Sequence, residues 1–166
     1  MDILLEILGI PQLTIERAAL QEHEIHRYVT VWTESAFCPR CQQESRELHQ
    51  NVVRVIRDLP LRGKPCYLHV HTRRFWCPRC GLPFAEPLDF VEPYRNDSKR
   101  YEGHIYELVR QNTISYVEAV EGLSDEVVEG IFLREAKRRI PANPLKNVQK
   151  LGIDEIAEHK GRKSYD

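Results

Sequence analysis

Apolar and polar residues change period partway along the chain. Near the start, Leu4, Leu5 and Leu8 predict a short helix closed by Gly9 and Pro11. Strands are expected over Leu13 to Ala18 and over Ile25 to Thr33, the latter rich in β-branched and aromatic residues. Val52 to Arg57 predicts another strand, Pro60 to Pro65 with Gly63 a turn, and Cys66 to Trp76 a returning strand. In that returning strand Cys66, Leu68, Val70 and Thr72 fall on one side and Tyr67, His69, His71 and Arg73 on the other. Pro87 to Pro93 reads as a linker.

After the linker the period lengthens to about 3.6. Asp97 and Ser98 can cap a helix with Tyr101, Ile105, Leu108 and Val109 in one stripe. A second helix is expected to begin at Ser115, with Glu118 in capping-box spacing, and to end at Gly122. Ser124 would cap a third, with Val127, Val128, Ile131 and Phe132 inward and Lys137, Arg138 and Arg139 at its C-terminal end. Pro141 and Pro144 stop it, and Leu151 to Ile156 reads as a last short strand.

Of 166 residues, 24 are basic and 25 acidic. Residues 1–37 hold two bases and six acids, residues 38–80 nine bases and three acids, and residues 81–166 thirteen bases and sixteen acids. The middle segment is therefore where a polyanion would bind. No apolar run approaches the roughly 20 residues that span a bilayer, and the N-terminus lacks the pattern of a signal peptide. A reducing cytoplasm is expected, where five cysteines serve as metal ligands or free thiols.

Cys38-Pro39-Arg40-Cys41 and Cys77-Pro78-Arg79-Cys80 share one spacing. Each pair can fold as a knuckle, and two knuckles supply the four thiolates that zinc prefers, against the plainer reading of four reduced cysteines. Gly81 suits the positive φ that follows such a knuckle, whereas Gln42 in the equivalent place is less comfortable. A closed four-sulfur site is structural. Cys66 is read as a small core residue, and His69 and His71 as solvated or phosphate-facing.

Arg54, Arg57, Arg62, Lys64, Arg73, Arg74 and Arg79 crowd this segment, interleaved with Tyr67, Phe75 and Trp76. Guanidinium groups fork onto phosphates and rings lie against sugars or bases, which points to nucleic acid; a solvated charged face is the alternative. Val117 to Phe132 has helix-turn-helix character, although Glu118, Asp125, Glu126 and Glu129 depart from it and a plain helical packing unit fits equally. Leu151-Gly152-Ile153-Asp154-Glu155 places a carboxylate on an apolar strand, as metal-dependent phosphoryl-transfer sites on ribonuclease-H-like sheets begin.

The knuckles, Arg57-Asp58-Leu59-Pro60-Leu61-Arg62-Gly63-Lys64-Pro65, Arg73-Arg74-Phe75-Trp76, the helix-turn-helix and Leu151 to Glu155 with Lys160-Gly161 together resemble the N-terminal part of an ISL-three family insertion-sequence transposase. The resemblance implies an α+β chain. Residues 1–90 would form a small zinc-ribbon-like β domain, 91–145 a helix-turn-helix domain, and 146–166 the first strand of a truncated ribonuclease-H-like DDE domain. It implies zinc at Cys38, Cys41, Cys77 and Cys80, and binding of double-stranded DNA at terminal inverted repeats. Asp154 would be the first catalytic acidic residue, with magnesium needed only by a complete catalytic domain. The partners expected besides DNA are a full-length transposase or a second copy, with no membrane. The location expected is the cytoplasm, on the bacterial nucleoid. The isolated chain is not expected to catalyse, because one carboxylate cannot hold two metal ions. A zinc-ribbon adaptor for a protein partner, without a DNA role, is the alternative.

Overall fold

A computed structural model describes residues 14–31 and 33–140. The expected helix near Leu8, the strand at Leu151 to Ile156, Pro141, Pro144 and Asp154 lie outside the described residues. Strands β1 (Thr14–Leu20), β2 (Ile25–Thr30), β5 (Leu48–Leu61), β6 (Lys64–Cys77) and β7 (Leu82–Ala85) form one five-stranded sheet. Two-residue strands β3 (Ala36–Phe37) and β4 (Glu44–Ser45) pair separately. Helices α1 (Lys99–Gln111), α2 (Ile114–Glu121) and α3 (Asp125–Arg139) follow.

The sheet order is β1-β2-β6-β5, with β7 added to β6 beyond the end of β2. β2 runs parallel to β6, Ile25 opposite Cys66 and Thr30 opposite His71, and every other pairing is antiparallel. The central hairpin is longer than the sequence suggests. Its turn is Arg62-Gly63 alone, both at positive φ (53° and 72°), the geometry that two-residue hairpins prefer. Pro60 and Pro65 lack the N–H a ladder needs, and the pairing slips between Asp58 and Leu61.

Alternation along β6 builds the core. Cys66, Leu68, Val70 and Thr72 are all buried, and Leu68 and Val70 pack with Val29, Ile56, Leu88 and Val91. After Arg73 and Arg74 burial switches to odd positions, Phe75 and Cys77. Because neighbouring side chains point to opposite faces of a strand, this second cluster, Ala36, Cys38, Phe75, Cys77 and Phe84, occupies the other face.

The segment read as a linker is instead packed. Leu88 and Val91 are buried and Phe90 lies against them, covering the sheet. Ser98 caps α1 as expected, accepting from the Tyr101 N–H. α2 starts earlier than expected, because Thr113 offers the same kind of oxygen and accepts from the Tyr116 N–H; Glu118 takes no part. Gly122 closes α2 at φ 62°. Tyr101, Ile105, Val117, Val128 and Ile131 form the helical core, while Val127, expected inward, is exposed.

Helices and sheet are joined by buried polar contacts. Asp58 accepts from Ser98 Oγ (2.7 Å) and from Arg100 Nε (2.6 Å). Glu121 accepts from Tyr101 Oη (3.0 Å), His104 Nε2 (3.1 Å) and Arg57 Nη2 (3.3 Å).

Candidate metal centre

Both knuckles fold alike. The Gln42 N–H donates to the Cys38 carbonyl (2.8 Å) and the Gly81 N–H to the Cys77 carbonyl (2.9 Å). Gln42 and Gly81 both take left-handed backbone, φ 59° and 66°, so the strain anticipated at Gln42 is present. β3 and β4 frame the first knuckle, and β6 and β7 the second.

The ligand atoms of Cys38, Cys41, Cys77 and Cys80 all lie within 4.8 Å of one another. Cys38 Sγ is 3.9 Å from Cys80 Sγ, and Cys41 Sγ is 3.5 Å from Cys77 Sγ. A tetrahedral zinc with Zn–S of about 2.3 Å requires sulfurs about 3.8 Å apart. The donor set therefore fits structural zinc, with all four positions filled by protein.

Two of these thiols are shifted in opposite directions. Burial pushes Cys38 up, but the N–H groups of Arg40 and Cys41 and the Cys77 thiol outweigh it and bring Cys38 down to about 7. Hydrogen bonding to Cys41, then burial, pushes Cys80 up to about 12. A metal ion that takes all four as thiolates displaces the thiol protons, so its affinity falls in acid. Cys66 is elsewhere, buried in the sheet, and burial pushes its thiol up.

Residues 34–80 match the family model described as the zinc-finger of transposase IS204/IS1001/IS1096/IS1165. These residues are similar to the zinc finger of that transposase family. It is also similar to the transposase for insertion sequence element IS1001 of Bordetella parapertussis, with 28% identity over 126 residues, which are 76% of this chain and 31% of that protein. The chain thus spans about a third of that relative's length. No solved structure matches it. No described helix is long and apolar enough to cross a membrane.

Around this four-cysteine finger, the basic residues read from the sequence do not share one surface. β6 alone is about 45 Å long, with Arg62 beyond one end and Arg79 beyond the other. Arg57 is turned inward: its guanidinium is bound to the Glu121 side chain and carbonyl and lies 4.9 Å from the Tyr101 ring centre. Arg54 donates to the Arg95 carbonyl, and Arg73 Nη1 to the Thr33 carbonyl (2.8 Å). Lys64 Nζ reaches the Gln21 carbonyl (3.4 Å). Arg62 and Arg79 are exposed and Arg74 is half-buried. Phe75, expected on the binding face, is core. Trp76 is half-buried beside His49, ring centres 5.9 Å apart, and Tyr67 stacks on His26 at 5.6 Å.

Sequence reasoning missed Arg40 as a surface group of the finger. The signal was present, since Arg40 holds the same place in its knuckle as Arg79.

Proposed function

We propose that the chain is a DNA-binding part of a transposase that recognises the terminal inverted repeats of an insertion sequence. The observation that carries this reading is the four-sulfur cluster, set in a ribbon similar to transposase zinc fingers. In it, residues 1–90 are the zinc-binding β domain, 91–145 a helix-turn-helix domain and 146–166 the start of a DDE catalytic domain. α2, the Gly122 turn and α3, held by Val117, Val128 and Ile131, support the second assignment. Asp125, Glu126 and Glu129 at the start of α3 would repel phosphates. Arg62, Arg74 and Arg79 are therefore the phosphate contacts in this reading. Asp154 belongs to a magnesium-dependent site for strand cleavage and joining that only a complete catalytic domain supplies.

The test is an electrophoretic shift with inverted-repeat and random duplexes, before and after chelation. Preferential, zinc-dependent retardation of the repeat is expected; equal or absent retardation overturns the reading. A second reading, an adaptor for a protein such as full-length transposase or another copy, draws support from exposed Tyr116, Val120 and Leu133 on the helices. Copurification of such a partner by a chain that shifts no DNA would establish it.

A further inference from the structure

Most helical arginines of the described residues are neutralised at home. Arg100 pairs with Asp58, Arg110 with Glu107, Arg134 with Glu102, and Arg138 and Arg139 with Glu135. Arg40 and Arg79 differ. Both are exposed, and among the described residues neither side chain makes an ion pair or a hydrogen bond.

Their placement is repeated. Each is the third residue of a Cys-Pro-Arg-Cys knuckle, and each knuckle closes with the same backbone bond and a left-handed residue in the same place, Gln42 in one and Gly81 in the other. Each arginine adjoins one of two cysteines, Cys41 and Cys80, whose sulfurs belong to a cluster within 4.8 Å. The two Cα atoms therefore lie within about 20 Å of each other. Two long guanidinium side chains rooted no farther apart than that are within reach of phosphates flanking one DNA groove, which is about 12 Å across at its wider.

We propose that Arg40 and Arg79, paired by the zinc centre, clamp the phosphate backbone of one DNA duplex. This rests on the DNA-binding reading above and names the residues that serve it. The geometry also explains why a rigid metal is useful: it fixes the separation of two long side chains whose bases are otherwise 39 residues apart in sequence, so less order is lost on binding. The rival role is electrostatic. Four thiolates exceed the charge of one divalent ion, and nearby cations can offset that excess.

The experiment titrates a labelled random-sequence duplex against the full chain across a salt series. The variants are Arg40→Ala, Arg79→Ala, both together, and both to lysine, with zinc content and zinc retention against a competing chelator measured in parallel. The double alanine variant is expected to bind on the order of tenfold more weakly and to lower the salt slope by about 1.8. Each single change should give about half that slope change, the lysine pair should keep most of it, and zinc should be retained as before. An unchanged slope, an effect confined to one of the two arginines, or weakened zinc retention in the double variant would overturn the clamp. If the unsubstituted chain binds no duplex, the DNA-binding reading itself falls; if it binds and the double variant binds equally, only the clamp does.

Discussion

Replacing Glu121 with alanine should damage the fold more than any surface change. Its carboxylate is almost buried and receives Tyr101 Oη, His104 Nε2 and Arg57 Nη2. The Arg57 side chain is 11% exposed and that of Glu121 7%, so water cannot readily replace the lost partner. Removing one half of a buried ion pair costs about 3 to 5 kcal/mol, because the remaining charge stays desolvated. Two features place this case at the lower end. Among the described residues Arg57 Nε already has no hydrogen-bond partner, and its Nη2 also donates to the Glu121 carbonyl, which the substitution leaves in place. A loss of about 3 kcal/mol is expected, a large share of the 5 to 15 kcal/mol of an ordinary domain. Urea denaturation of zinc-saturated protein, followed by circular dichroism, measures it. The accompanying variant, Arg57→Leu with Glu121→Leu, removes both charges and should cost much less than the sum of the two single changes. A loss below about 1 kcal/mol for Glu121→Ala, or strict additivity in the double variant, would refute the reasoning.

Zinc content should be one ion per chain by elemental analysis, and Cys38→Ser or Cys77→Ser should abolish it; a structural zinc contributes on the order of 10 kcal/mol, more than the roughly 5 kcal/mol from burying Phe75 and Phe84 beneath it, so the ribbon should unfold with the metal removed. Gln42→Gly should raise stability by about 0.5 to 1 kcal/mol and Gly81→Ala lower it by about 1 kcal/mol, both read from thermal midpoints, since both sites hold positive φ; a stabilising alanine at Gly81 would contradict this. His69 is held below its ordinary 6.5 by burial and then by the charges of His26, Arg17 and His71, so the folded chain binds fewer protons than the unfolded one just below pH 6.5. The sign follows: this contribution is present above about pH 6.5 and is lost as pH falls below it. His69→Gln should flatten that part of a stability profile, and an unaltered profile would show that His69 does not set it.

The metal centre was legible because its information is local: two spacings, a proline and an arginine in each, and a turn residue after them. The β6 face was legible for the same reason, since strict alternation over Cys66 to Thr72 assigns each side chain. Ser98 and Gly122 announced helix ends through their own chemistry. What escaped depends on distant partners. Nothing near Arg57 reveals that Glu121 lies across from it, so an arginine inside the fold and one facing phosphate look identical in sequence. The change of burial parity after Arg73 needs Phe84 and Ala36 to be in place, and the linker could not be known as packed until Leu88 and Val91 met Val29 and Ile56.

The parallel contact of β2 with β6 also sets an order of events during synthesis. β2 leaves the ribosome about forty residues ahead of the strand that will shelter its edge, a delay of about 2 to 8 s at ordinary elongation rates. Until then it has only β1 beside it, and a lone two-stranded ribbon is barely stable in water. A stall anywhere between Val31 and Cys66 would leave a nascent hairpin with no third strand to complete it.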